Sequence, residues 1–463
     1  MAEQPYVKKT PAESVVSADF ALKTGRPIRP LHGVNSGPMT KVFTYDARPQ
    51  FIEAGFPYAR LHDVEYPYGS GYFVDIPNIF RDFDKDENDP ANYDFDLTDE
   101  YIAKIVEVGC NTFFRLGVSI EHAPVIKRTF PPKDFGKWAR IAEHIIRHYN
   151  EGWSNGFHWN IEYWEIWNEA DGSLGGGKQC WAGTAEEFYE FYCTAASHLK
   201  RCFPHLKIGG PAFTRAKNEF TIGFFEYLKK QTERVPLDFY SWHCYFHDLD
   251  NLRSIAKDAE DLLSEYGYED AESILNEWNV GGKVMLERFQ EFGPHGEKFR
   301  AVYDQRGSSM AAATFAILQT ETDVRIGCYF EADVVKEWCG LYRVKDMSIG
   351  KVKATVAPTN VFYAFKSFNE LYKLGNEVAV RLTDPALNGV AAVSEDGRKW
   401  GLLLSNYSRE PRNIKLSLQH IARAKATLRK GNDAHLFEIM STGVPKSIEL
   451  EPYTFVFLGN VLS

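Results

Sequence analysis

The sequence predicts an α/β fold, a (β/α)8 TIM barrel with a second, smaller β-sandwich domain, on three observations. Short apolar runs alternate with longer amphipathic ones from residue 30 to residue 374, the pattern of repeated βα units. After residue 375 the chain changes to short alternating strands punctuated by Asn388-Gly389, Asp396-Gly397 and Lys430-Gly431-Asn432. Two glutamates, Glu169 and Glu277, each close an apolar run just before a Gly-rich segment, at 172–177 and at 281–282. A carboxylate in that setting sits at the C-terminal tip of a strand, where a parallel barrel keeps its chemistry.

Eight strands and eight helices can be counted. The strands fall at 30–35, 57–63, 112–119, 161–168, 207–211, 238–245, 273–277 and 324–331. Helices follow them near 46–55, 97–109, 133–151, 184–203, 219–233, 250–267, 304–322 and 358–374. Thr184 with Glu187 three residues on reads as a capping box, and Pro204 stands where the same helix must stop. Phe188, Tyr192, Ala195, Ala196 and Leu199 recur at helical spacing and belong to the core. Gly109 closes the second helix. A length of 463 residues would allow about three domains, but a barrel of about 250 residues or more counts as one. The expected division is a barrel over 25–374 and a sandwich over 375–463, joined by residues 1–24, where 14–22 alternate like a strand. The acidic stretch 82–96 lacks apolar periodicity and reads as an insertion after the second strand, near the barrel mouth.

Charge and composition exclude several functions. A net charge of -10 without a lysine or arginine block argues against a nucleic-acid surface. Aromatic residues make up 14% of the chain, which suits a pocket that stacks sugar rings but equally a large core. Seven cysteines, odd in number and without a CxxC, indicate neither a disulfide framework nor a zinc ribbon. With no apolar run near the amino end and none approaching the ~18 residues of a membrane span, a cytoplasmic protein is expected, with no membrane partner. A homo-oligomer is left open.

The residues that carry chemistry cluster at predicted strand ends. Trp167-Asn168-Glu169 sets an amide beside a carboxylate at the rim of the fourth strand, although a solvated loop glutamate would look the same. Glu277 follows Ile274 and Leu275 and precedes Trp278, so a charge ends an otherwise buried run. Such a carboxylate needs a reason, either catalysis or a structural ion pair. On the sixth strand His243 and Tyr245 are two apart and share a face; Arg60 and His62 repeat that spacing on the second, with Asp63 beside them. A lone histidine is most often a satisfied core residue, but two inward polar pairs on separate strands favour a hydroxyl-binding pocket. No HExxH and no HxH occurs, and Glu277 with His243 and His62 would make an unusual zinc triad, so no metal is expected. The glycines at 175–177 lack P-loop spacing, and no cofactor is implied.

On Trp167-Asn168-Glu169, Glu277-Trp278, His243-x-Tyr245 and Arg60-x-His62, the chain resembles glycoside hydrolase family 39, the β-xylosidases and α-L-iduronidases. The resemblance covers most of the chain, since that family also carries a small β-sandwich. It implies a retaining mechanism with Glu169 as acid/base and Glu277 as nucleophile, and a pocket in which Asn168, Arg60, His62, His243 and Tyr245 surround an oligosaccharide or glycoside substrate. Asp63, beside His62, and Glu331, at the end of the eighth strand, are added as candidate binding residues from the sequence itself. Two departures bear on sugar identity. Ala170 and Asp171 follow the acid/base position where the family usually has proline, and Tyr329-Phe330-Glu331-Ala332 brings a carboxylate where its xylosidases tend to bring a tryptophan. An exo-acting β-xylosidase is the first reading. A glycosidase for arabinose, galactose or L-iduronate and a non-catalytic carbohydrate-binding barrel stay as alternatives, with the uronate disfavoured by the charge of Glu331.

Overall fold

The structure, a computed structural model, describes residues 13–38, 44–64, 72–246, 248–281, 300–334, 336, 338–346, 353–422 and 425–462. Residues 1–12 of the expected amino-terminal segment, and Gly282 of the glycine pair after Glu277, lie outside them. The chain divides into two units, one holding the described parts of 30–295 and 322–357, the other those of 1–29, 296–321 and 358–463.

The first unit is a closed parallel barrel. Its strands are β1 (Gly33–Asn35), β2 (Tyr58–Leu61), β3 (Asn111–Leu116), β4 (Tyr163–Ile166), β5 (Lys207–Phe213), β6 (Phe239–Phe246), β7 (Glu272–Val280) and β8 (Ile326–Tyr329). Each neighbours the next, and β8 pairs with β1 to close the ring. All eight predicted strands exist because a strand buried on both faces reads as a continuous apolar run.

Side chains two apart on a strand share a face, so the inward positions form stacked layers. Phe113, Tyr163, Phe239, Ile274, Ile326 and Cys328 make one buried cluster, with Tyr58 packed against it. That aromatic floor fills the barrel below the site. Two residues further along the same strands stand Arg60, Arg115, Glu165, Ser241 and Asn276, all fully buried and all polar.

The helices are terminated as their sequences dictate. α1 (Phe135–Glu151) starts at Asp134, whose side chain accepts the Lys137 amide. α2 (Ala185–Cys202) opens on the reciprocal Thr184 and Glu187 bonds expected of a capping box and buries Phe188, Tyr192, Ala195, Ala196 and Leu199. Among the described residues no helix is long and apolar enough to cross a membrane. The acidic 82–96 segment runs along α1: Asp84 pairs with Lys133 at 3.0 Å, Glu87 with Arg140 at 2.7 Å, and Phe95 stacks on His148 at 3.6 Å. Its described contacts bind it to a helix, and none reaches Glu169 or Glu277.

The second unit is a nine-stranded sheet. The amino-terminal alternation is a strand, Glu13–Pro27, set between the antiparallel strand Asn376–Leu382 and the parallel strand Arg412–Gln419. Both ends of the sheet feed one apolar cluster, from Leu428 and Val456 through Leu402 and Val16 to Ile414 and Leu450. Helices Gln305–Glu321 and Asn360–Leu374, the last two of the alternating pattern, group with this sheet and meet through Phe315 and Phe365, whose rings lie 4.8 Å apart.

Candidate active site

At the carboxyl ends of the barrel strands the chain turns two carboxylates towards each other. β4 ends at Ile166, and the next three residues form a tight turn with Trp167 at φ 73° and Glu169 at φ 49°. Left-handed conformations cost non-glycine residues about 1 kcal/mol or more each and persist only where surrounding contacts enforce them. Here the Trp167 amide donates to Leu116 O at 2.7 Å, its indole to Cys180 O at 2.8 Å, and the Glu169 amide to Ala212 O at 2.9 Å. Asp171 ties the turn to the loop after β5, accepting from the Thr214 amide and hydroxyl and from Asn218. Ala170-Asp171 thus anchors the turn by hydrogen bonds where a proline would stiffen it.

Glu277 does not end its strand, as the sequence suggested, but lies inside β7, which continues to Val280 because the ladder with β6 runs on to Phe246. The register slips by one residue there: Trp242 faces Leu275, yet His243 faces Glu277. Such a bulge lets two successive residues point the same way. Asn276 accordingly donates to Glu165 while Glu277 accepts from Arg60.

Arg60 is the hub. Its Nε donates to Glu165 Oε2 at 2.7 Å, one terminal nitrogen to Glu277 Oε1 at 2.6 Å and Asn35 Oδ1 at 3.1 Å, and the other to Asn168 Oδ1 at 2.7 Å. Burial alone would favour losing the proton, but the charges of Glu165 and Glu277 outweigh it and raise the guanidinium further above its ordinary value. Glu277 Oε2 also accepts from the Tyr245 hydroxyl at 2.7 Å. Burial raises the Glu277 carboxyl from its usual range, against the pull of His243, Arg60 and Tyr245.

Glu169 has a different setting. Its Oε1 lies 2.7 Å from His243 Nδ1 and its Oε2 3.9 Å from Cys180 Sγ. Burial pushes it up to about 7, with Arg60 and Cys180 only partly opposing. Burial also brings His243 down to about 4, so the imidazole is neutral near pH 7. Its Nε2 is buried without a hydrogen-bond partner, so the ring proton belongs on Nδ1, which faces Glu169 and stands 3.4 Å from Glu277 Oε2. One oxygen of each carboxylate and the histidine nitrogen lie within 4.8 Å of one another.

The other predicted residues converge on the same place. With Asn168 Oδ1 engaged by Arg60, its Nδ2 is a buried donor without a partner. His62 places Nε2 3.8 Å from Glu277 and 3.4 Å from Asp63; burial, Arg60 and Arg115 hold its pKa well below the ordinary value. Asp63, pushed up to about 6 by burial, accepts the Ile120 amide. Glu331 follows β8 and accepts from Ser36 at 3.0 Å; burial and Asp333 raise it well above the carboxylate range.

Sequence reasoning missed Glu165, which steers Arg60 and also accepts from Ser241 at 2.6 Å. The signal was present: Tyr163-x-Glu165 puts a charge at an inward position of a buried strand. It also missed Trp338, whose ring lies 5.2 Å from Tyr245 and 6.4 Å from Phe330.

A closed parallel barrel whose C-terminal face brings two carboxylates together, one raised by burial to about 7 and one bound by cationic and hydroxyl donors, has the fold of a glycoside hydrolase. Residues 30–277 match Glycosyl hydrolases family 39, and the chain belongs to that family. It is similar to a β-xylosidase of Geobacillus stearothermophilus, 23% identical over 360 residues that span 73% of this chain and 67% of that protein. A β-xylosidase of Caldicellulosiruptor saccharolyticus is 29% identical over 208 residues, 42% of this chain and 38% of that one. Among solved structures, a glucosidase from Croceicoccus marinus superposes with a TM-score of 0.74 at 21% identity, over 97% of this chain and 99% of its own. A GH39 β-xylosidase from Caulobacter crescentus does so with a TM-score of 0.62 at 15% identity, over 96% and 99%.

Proposed function

We propose that this glycosidase is a retaining β-xylosidase that removes the terminal sugar of short oligosaccharides. The observation that carries the mechanism is the spacing of the carboxylates, whose nearest oxygens lie within 4.8 Å. Retaining enzymes hold the pair about 5 to 5.5 Å apart and inverting ones about 6.5 to 9.5 Å, leaving room for a water. Glu277, with donors on both oxygens, is the ionised nucleophile. Glu169, held at about 7, keeps a proton to give to the leaving oxygen.

Glu277 attacks the anomeric carbon as the glycosidic bond breaks, and the Glu169 proton passes to the departing alcohol. Glu169, now ionised, takes a proton from water, whose oxygen displaces Glu277 and releases the sugar with its anomeric configuration unchanged. The free Nδ2 of Asn168 is matched to the sugar 2-hydroxyl, a hydrogen bond that strengthens as the ring gains positive charge. His62, Asp63 and Glu331 would hold other hydroxyls, and Tyr245 and Trp338 offer rings to its apolar face.

Exo action is supported by enclosure. Side-chain exposure is only 16% at Glu169 and 4% at Glu277, and Arg60 and His243 are wholly covered, as exo action on a single terminal sugar needs. The xylose assignment follows the two β-xylosidases; with Glu331 raised well above the carboxylate range by burial and Asp333, its charge does not decide for or against a uronate. Nitrophenyl glycosides of xylose, arabinose, galactose, glucose and glucuronic acid test class and sugar together. The β-xyloside should be cleaved with the highest kcat/KM; a clear preference for another sugar would reassign the substrate, and binding without turnover would make the barrel a sugar binder.

A further inference from the structure

A second group of donor atoms converges on the barrel's outer wall, between α1 and α2. His198 and Cys202 stand four residues apart on α2, so they rise from one face, and Glu143 meets them from α1. His198 Nε2 lies 2.6 Å from Glu143 Oε2 and 3.7 Å from Cys202 Sγ. One donor atom from each of the three residues lies within 4.8 Å of the other two. A tetrahedral zinc ion, with bonds of about 2.3 Å to sulfur and about 2.0 Å to nitrogen, holds those two donors about 3.5 Å apart. The Cys202 to His198 separation already has that value within a few tenths of an ångström.

We infer that Glu143, His198 and Cys202 form a binding site for a thiophilic divalent cation, zinc in the first place, which fastens α1 to α2. All three side chains are partly exposed, so an ion can enter and water can complete the tetrahedron. Imidazole, thiolate and carboxylate together suit zinc and exclude magnesium or calcium, which take oxygen ligands. Arg147 occupies Glu143 Oε1 at 2.9 Å and leaves Oε2 to the metal. Arg201, an exposed side chain, lies 3.2 Å from His198 Nδ1 and must turn aside as the imidazole changes tautomer. On binding, the Cys202 thiol releases its proton to solvent, the His198 proton passes from Nε2 to Nδ1, and the Nε2 lone pair goes to the metal. One proton is therefore released per ion, with no change of oxidation state.

Cobalt(II) is the probe. Titrated into the full chain kept reduced by a non-chelating reductant, it should give a thiolate-to-cobalt charge-transfer band that saturates at one equivalent and is bleached by zinc. Cys180 Sγ lies 3.9 Å from Glu169 Oε2, so a band from cobalt held at the Glu169, His243 and Glu277 group is told apart by its survival in Cys202→Ser. Cys202→Ser should abolish the band, and His198→Gln should weaken cobalt binding at least about tenfold, with both folds checked by circular dichroism. No band at one equivalent, or a band that survives Cys202→Ser and so arises from another cysteine, would overturn the site. Should the serine variant fail to fold, unchanged cobalt affinity in His198→Gln would overturn it equally.

Discussion

The barrel interior contrasts two layers that are neighbours on the same strands. Tyr58, Phe113, Tyr163, Phe239 and Ile274 fill the lower one mainly by shape and apolar area, with the Tyr163 hydroxyl donating to Glu272 at 2.8 Å. Two residues on, Arg60, Arg115, Glu165, Ser241 and Asn276 fill the next with groups that are equally buried but bound by charge and hydrogen bonds. A packed apolar layer tolerates volume-conserving change, whereas a buried charge left without its partner costs several kcal/mol. The floor therefore supports the site, and the layer above it sets the chemistry.

Substitutions can break that contrast at graded strength. Glu277→Ala, which removes the proposed nucleophile, should lower kcat on a nitrophenyl β-xyloside by about 10⁴-fold or more, and full activity would end the assignment. Glu165→Gln keeps the shape of the middle layer but deprives Arg60 of one carboxylate. The guanidinium then draws more strongly on Glu277, weakening it as a nucleophile, and kcat should fall roughly ten- to a hundredfold in a folded protein. Unchanged kcat in that variant would reduce Glu165 to a packing residue. Ile274→Val, in the floor, should cost about 0.5–1.5 kcal/mol of unfolding free energy and leave kcat alone. An activity loss there as large as that of Glu165→Gln would erase the distinction between the layers.

Much of the fold was legible because burial on both faces writes strands as unbroken apolar runs, and because Thr184 with Glu187 marks a helix start by its own chemistry. The convergence of His243, Tyr245, Arg60 and His62 was legible for the same reason: period-two spacing survives from sequence to structure. The bulge at Asn276 and Glu277 was not, since an extra inward residue leaves no trace in composition and is fixed only by pairing with β6. Trp338 escaped notice because it reaches the site from beyond the end of β8, where no strand periodicity points. The acidic 82–96 segment reads as an insertion near the mouth from its charge, its lack of apolar periodicity and its place after the second strand; the cations of Lys133, Lys137 and Arg140 that hold it along α1 are remote in sequence.

Protonation sharpens the account with smaller effects. With Glu169 at about 7, kcat/KM should fall as pH rises through that value, because the general acid loses its proton. Glu169→Ala should remove that limb, and a limb that stays would assign the acid elsewhere. Stability carries the same signature. A carboxyl raised in the folded state from 4.5 to about 7 stabilises the fold below the lower value and loses that contribution as pH climbs through the higher. Glu169→Gln should therefore be more stable than the parent above pH 7, by at most about 3 kcal/mol, and a lower melting temperature there would contradict the burial argument.

The claim beneath all of these is that Glu169 and Glu277 act on one anomeric carbon in two successive displacements. Proton magnetic resonance of the first sugar released from a nitrophenyl β-xyloside tests it directly, before mutarotation scrambles the anomers. The account predicts β-xylose as the first product, equilibrating afterwards towards the α form. α-Xylose appearing first would mean inversion through a single displacement, and the double-displacement roles given to the two glutamates would be wrong.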